Sequence, residues 1–227
     1  GVLAHYDHAP RLQVLARCSG ASVEAVSRAL FESGLEQEAD LGRHDARGQV
    51  DEFARRLGRP VSLADCIEAR RASMVADADM LALARSLARR ARVAILTNNN
   101  LLLRDHLPAI CPPLFPLFDG GVFCSAQFGV GKPDPDIFRR CLDALGVAPG
   151  EAFFIDDKRE NADGARRAGL RGRDRRARLL AAGGDNGADA RRDADGGRHP
   201  RHPPRWSGGR RPEARHGSRR GDRRRRE

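Results

Sequence analysis

Asp156 and Asp157 stand side by side directly after the apolar run Ala152-Phe153-Phe154-Ile155. Two adjacent carboxylates repel each other, and a hard divalent cation offsets that repulsion. Magnesium suits such a pair, because it takes few protein carboxylates and keeps waters and substrate oxygens in its remaining positions. The plainer use is a surface turn, with Asp157 or Asn161 capping the following helix. Lys132, in Gly131-Lys132-Pro133-Asp134-Pro135, is one of only 2 lysines in a chain with 39 arginines. A compact ammonium reaches between anions as a point charge where a broad guanidinium does not fit. The alternative is a solvated lysine in a proline turn, with Asp134 or Asp136 starting the next helix. Thr97 and Asn98, in Thr97-Asn98-Asn99-Asn100, follow the run Val93-Ala94-Ile95-Leu96. A hydroxyl and free amides at a helix start can hold a phosphate oxygen, and the same residue types serve as ordinary N-caps.

Singly, each stretch has an ordinary structural use. Together they form a series of hydroxyl, lysine and acidic pair, each following a strand-like segment, which is a constellation for phosphate and Mg²⁺. A phosphorylated receiver domain also uses acids, a Thr or Ser and a Lys. There the acidic pair precedes the other two, whereas here the order is Thr97, Lys132, Asp156-Asp157. That order disfavours a receiver.

The elements that must position these residues alternate. Met80, Leu83, Ala84 and Leu87 predict one helix face, Val93–Leu96 a buried strand, and Leu101 to Leu107 a helix. Val122-Phe123-Cys124 is a weaker strand signal. Ile137, Phe138, Cys141, Leu142 and Leu145 trace a further helix closed by Gly146, and Ala152–Ile155 a strand followed by a helix to about Ala168. Alternation of this kind predicts a parallel sheet covered on both faces. Ligands of such sheets bind beyond the carboxyl ends of the strands, where the three polar stretches lie. Residues 9–78 read as helices without a convincing strand. Val23, Val26 and Leu30 mark one apolar face there, and Val50–Leu57 another, with Gly58 as the stop. The predicted organisation is therefore a short lead-in over 1–8, a helical lobe over 9–78 and an α/β core over 79–170.

The net charge of +10 is unevenly placed. Residues 171–227 hold 19 Arg against 8 Asp or Glu, an excess of +11, so the body is nearly neutral. This segment contains no Val, Ile, Met, Phe or Tyr. It cannot bury enough apolar surface to offset chain entropy and is expected to be disordered. One reading makes it an arginine arm for non-specific nucleic acid. The other makes it the product of a shifted reading frame in GC-rich coding sequence, which yields this mixture of Arg, Gly, Ala, Pro and Asp. The five cysteines are widely spaced with no Cys-x-x-Cys pair, which argues against disulfides or a zinc site and suits a cytoplasmic setting. No apolar run approaches the roughly 20 residues of a membrane helix. The sequence is silent on oligomeric state.

The quoted stretches resemble the haloacid dehalogenase-like (HAD) superfamily. ILTNNN is similar to its second motif, GKPDPDIF to its third and FFIDD to its fourth, in the family's order. GVLAHYDHAPRL and LGRHDARGQVDEFARRLG resemble the start and middle of the helical cap in its small phosphatase-like branch. The resemblance covers about residues 1–170. It implies a Rossmann-like core with an inserted cap, and Mg²⁺-dependent hydrolysis of a small phosphorylated metabolite through a phosphoaspartyl intermediate. Thr97 and the Asn98 amide would hold the phosphoryl group, and Lys132 would neutralise developing charge. Asp157 would bind Mg²⁺ directly, Asp156 through water, and Asn161 would brace the metal loop. The acidic pair favours phosphatase over dehalogenase chemistry, because halide displacement from carbon needs no metal. The family's first motif reads like Asp-x-Gly-Gly-Val-Leu and supplies the nucleophile, whereas this chain opens at Gly1-Val2-Leu3. The expectation is that the first core strand and its nucleophile are absent, that Asp7 and Asp40 do not replace it, and that the chain is inactive as written. A last core strand and helix after Gly169 are likewise expected to be missing, replaced by the arginine-rich segment and leaving the sheet incomplete.

Overall fold

The structure, a computed structural model, describes residues 1–174; residues 175–227, most of the arginine-rich segment, lie outside them. The chain opens with strand β1 (Ala4–Tyr6) and passes into helices α1 (His8–Ser19) and α2 (Val23–Ser27), the latter continued by a π-helical turn over Arg28–Glu32. Helices α3 (Leu35–Asp40), α4 (Ala46–Leu57) and α5 (Leu63–Ala72) complete a helical lobe. Local chemistry sets these boundaries. The Asp7 carboxylate accepts the Ala9 N–H ahead of α1, Asp45 caps α4, and Ser62 and Asp65 form a capping box at α5. Gly58 ends α4 at φ 69°, in the left-handed region. Leu15, Val26, Leu30, Leu35, Phe53 and Ala69 fill the lobe's interior. Val26 and Leu30 lie inward as their spacing predicts, but Val23 is 37% exposed, because it opens α2 at the lobe's rim.

The lobe does contain a strand element at its end, contrary to expectation. Strand β2 (Met74–Ala76) pairs antiparallel with β1, Ala4 opposite Ala76 and Tyr6 opposite Met74. Asp7 N–H donates to Ser73 O at 3.0 Å, and Asp77 N–H to Leu3 O at 2.9 Å. A three-residue strand of this kind is held by backbone pairing with a segment some 70 residues away, so it has no apolar alternation of its own. The helical lobe is thus bracketed by two paired strands.

Beyond β2 the elements alternate: α6 (Ala78–Ala88), β3 (Ile95–Thr97), α7 (Leu101–Ile110), β4 (Val122–Cys124), α8 (Ser125–Phe128), α9 (Pro135–Leu145), β5 (Phe153–Asp156), α10 (Arg159–Arg167) and β6 (Arg171–Asp174). The buried face of α6 centres on Leu81 and Ala84, while Leu87 is 44% exposed. Leu103, Leu107, Ile110, Leu114 and Phe118 pack with that face. Ile137, Phe138, Leu142, Ala165 and Leu170 form the cluster between α9 and α10.

β3 pairs parallel with β4, and β5 pairs parallel with β6. Among the described residues the two pairs are not hydrogen-bonded to one another. This explains a second departure. Val93–Leu96 was expected as a fully buried strand, yet β3 covers only Ile95–Thr97 and all three residues are only partly buried, since β3 has a neighbouring strand on one side alone. Phe153 at the start of β5 is 56% exposed for the same reason. A third departure concerns the far end of the core. The strand expected to be missing after Gly169 is present: Arg171–Asp174 pairs with Phe153–Asp156 in register. Its pairing uses backbone groups, which need no apolar side chains. Gly172 lets it lie close against α10, where a Cβ would come within 2.5 Å of Ala162 O. The core therefore extends to at least Asp174, past the expected boundary at 170. No helix among the described residues is long and apolar enough to cross a membrane.

Candidate active site

β3 ends at Thr97 and β5 at Asp156, and Lys132 reaches both. Its Nζ donates to Leu96 O at 2.9 Å and to Asp156 Oδ2 at 2.7 Å, and it lies 5.3 Å from the centroid of the Phe154 ring. Both partners are buried, with side chains 9% and 6% exposed. This is no solvated lysine in a turn. Its loop is clamped from two sides. The Asn98 carboxamide accepts the Lys132 N–H and donates to Lys132 O, both at 2.8 Å. From the other side, Gly164 in α10 lies against the Pro133 carbonyl, where a Cβ would approach to 2.2 Å. The Arg167 guanidinium donates to the same carbonyl at 3.1 Å.

The acidic pair divides into two unlike carboxylates. Asp156 is 4% exposed, and its oxygens are taken by Lys132 Nζ, the Lys158 N–H at 3.0 Å and Asn161 Nδ2 at 2.9 Å. Asp157 is open, its side chain 42% exposed, with the Gly1 ammonium 3.4 Å away. Burial pushes the Asp157 carboxyl up, but that ammonium and local hydrogen bonds hold it below its ordinary value, so it stays ionised. Neither Asp157 nor Asn161 caps α10; its N-cap is Lys158, without a side-chain cap bond. The capping alternative for the Thr97–Asn100 stretch is confined to one residue. Asn100 accepts the Leu103 N–H and caps α7, which releases Thr97 and Asn98 for other roles. Asp134, not Asp136, caps α9.

A buried polar cluster that the sequence did not reveal lies behind Thr97. Thr97 Oγ1 accepts from Asn99 Nδ2 at 2.9 Å, and Asn99 Oδ1 accepts from Arg70 of α5 at 3.1 Å. Arg70 also donates to Glu36 at 3.0 Å, and Glu36 receives two further bonds from Arg11 and one from Gln49. Burial pushes the Glu36 carboxyl up, but the Arg70 and Arg11 guanidiniums overcome this and bring it down to about 2. Asp40 behaves oppositely: burial and the charge of Glu36 raise it to about 6, against the pull of Arg70 and the hydrogen bond from Asn100 Nδ2. Arg11 and Arg70 are 5% and 3% exposed. In a chain so rich in arginine their residue type carries no signal. Only their places on otherwise inward helix faces could have marked them.

Among the described residues no three His, Cys, Asp or Glu side chains gather as a self-sufficient metal cage. The two carboxylates at the end of β5 nevertheless fit an ion that takes one or two protein oxygens and completes its shell with water and substrate. Asp157 offers the accessible oxygens, and the engaged Asp156 can contribute only through water.

Several known proteins are similar to this chain in sequence or fold. The chain is 33% identical over 153 residues to Phosphatase MT3486 from Mycobacterium tuberculosis (strain CDC 1551 / Oshkosh), covering 66% of this chain and 62% of that one. It thus spans less than two thirds of that relative's length. Its fold is similar to a HAD family enzyme from Bacteroides thetaiotaomicron crystallised with magnesium and inorganic phosphate. That match has a TM-score of 0.61 at 21% identity, covering 75% of this chain and 87% of the other. A HAD-like family hydrolase from Porphyromonas gingivalis aligns at TM-score 0.61 and 25% identity, over 78% of this chain and 92% of that one. Residues 8–169 match the family model for haloacid dehalogenase-like hydrolases, and the chain belongs to that family.

Proposed function

We propose that Thr97, Asn98, Lys132, Asp156 and Asp157 form a Mg²⁺-dependent phosphoryl-transfer site for a small phosphorylated metabolite. The carrying observation is Lys132 Nζ, held between Leu96 O and Asp156 where β3 and β5 end. An ammonium has three N–H groups. Two are committed, and the third can donate to a phosphoryl oxygen. The Thr97 hydroxyl can donate to another. The Asn98 side chain acts on the Lys132 loop rather than on ligand, so its contribution is to place the lysine. Asp157 would hold Mg²⁺ directly and Asp156 through water, with Asn161 bracing Asp156. The ion, when bound, would screen the phosphoryl charge and orient the substrate. Residues 9–78 act as the cap that selects the metabolite. The side-by-side passage of β1 and β2 supports this insertion.

A phosphoaspartyl route needs a nucleophilic carboxylate facing Lys132. Among the described residues, Asp156 is the one carboxylate in salt-bridge contact with Lys132. Asp7 caps α1, and Asp40 is bonded to Asn100. The 227-residue polypeptide is therefore expected to bind inorganic phosphate with Mg²⁺ but not to turn over p-nitrophenyl phosphate. Calorimetric titration with phosphate, with and without Mg²⁺, should show binding that Lys132→Met and Asp157→Asn each weaken. EDTA-sensitive turnover abolished by Asp157→Ala would refute the nucleophile argument. Phosphate binding indifferent to Mg²⁺ and to both substitutions would refute the site.

A further inference from the structure

We infer that Arg70 and Asn99 are positioning residues that set the polarity of the Thr97 hydroxyl, coupling the helical lobe to the phosphate site. This rests on the phosphate-site reading above. A guanidinium only donates. The Asn99 oxygen must therefore face Arg70, at 3.1 Å, and the Asn99 nitrogen must face Thr97, at 2.9 Å. That nitrogen also only donates, so the Thr97 oxygen accepts there, and its single O–H proton is left to point elsewhere. A hydroxyl held in this way is a dedicated donor, which an oxyanion requires.

The surroundings make the assignment firm. The Asn99 backbone is locked by Ser125: Asn99 N–H donates to Ser125 Oγ at 3.0 Å, and the Ser125 hydroxyl donates back to Asn99 O at 3.1 Å. Arg70 is held in turn by Glu36, itself clamped by Arg11 at 2.6 and 3.1 Å and by Gln49 at 3.2 Å. Without Arg70 the Asn99 carboxamide can turn over and offer its oxygen to Thr97. The hydroxyl proton would then be drawn to Asn99, leaving oxygen lone pairs facing the phosphoryl group.

The test uses the full chain with Mg²⁺ and inorganic phosphate, measured by calorimetry, with thermal melts showing that each variant is folded. Thr97→Val is the reference and is expected to weaken binding about tenfold or more. Asn99→Asp keeps the shape and the bond to Arg70 but can only accept from Thr97, so it should weaken binding by the same factor. The double variant should be no weaker than Thr97→Val alone, because both changes remove one donor. Arg70→Met leaves Glu36 held by Arg11 and Gln49, and is expected to match Asn99→Asp. Wild-type affinity in Asn99→Asp or Arg70→Met, alongside a weakened Thr97→Val, overturns the proposal. So does a further loss in the double variant, which would mean that the new carboxylate merely repels phosphate. Wild-type affinity in Thr97→Val would instead overturn the phosphate-site reading.

Discussion

Lys132→Met is the most informative perturbation of the core. Methionine keeps an unbranched apolar stem beside Phe154 and removes only the charge and its hydrogen bonds. The lost contacts are the 2.7 Å ion pair with Asp156 and the 2.9 Å bond to Leu96 O. Both members of the pair are less than one-tenth exposed. Removing one partner of a buried pair leaves an uncompensated charge and costs about 3–5 kcal/mol. An exposed pair would cost under about 1 kcal/mol. Asp156 keeps Asn161 and the Lys158 N–H, which places the expectation at the lower end, about 3 kcal/mol. Urea unfolding followed by circular dichroism at pH 7 measures it. The pair Lys132→Met/Asp156→Asn should recover part of the loss, because the stranded charge is gone. A loss under about 1 kcal/mol, or a double variant as unstable as the sum of the singles, would refute the claim that this pair ties β3 to β5.

Asp40 predicts a pH effect of definite sign. Its carboxyl is raised from 3.8 to about 6 in the folded chain, so its stabilising influence is present below about 4 and is lost as pH rises through about 6, a change of about 3 kcal/mol. Asp40→Asn should therefore raise the melting temperature at pH 7 and flatten its dependence between pH 4 and 7; an unchanged slope would exclude Asp40 as its source. Gly164→Ala should destabilise the chain by about 1–3 kcal/mol, because the new Cβ meets the Pro133 carbonyl at 2.2 Å. Phosphate affinity should fall with it as the Lys132 loop is displaced, and unchanged melting would show that the contact is slack. For the arginine-rich segment, RNA binding should weaken steeply with salt and be equal for the native chain and one with residues 175–227 scrambled. Selectivity of the native order would establish a true nucleic-acid arm.

Much of the local architecture was legible because it is written within a few residues. The Asn-led start of α7, the Asp134 start of α9, the glycine stops at Gly58 and Gly146, and the inward face of α9 all depend on neighbours a few positions away. β2 and β6 were illegible for the converse reason. β2 is three apolar residues held by a backbone partner remote in sequence, too short a run to mark a strand, and β6 is built of Arg, Gly and Asp, which show no apolar pattern. Burial was misjudged at Val93–Leu96 because a strand's apolar residues do not reveal whether both of its edges are paired.

The site divides along the same line. By itself the sequence determined which residues could do the chemistry: a hydroxyl, a lysine and two carboxylates, in the order and context of a haloacid dehalogenase-like hydrolase. Tertiary structure decided where each sits and what it touches. It buried Asp156 against Lys132 while leaving Asp157 open, turned Asn98 toward the lysine loop, and set Arg70 behind Asn99. These contacts join residues 24, 34 and 29 positions apart. Hydrogen-bond polarity and desolvation depend on which groups the fold brings within 3 Å, and no local stretch of sequence contains that information.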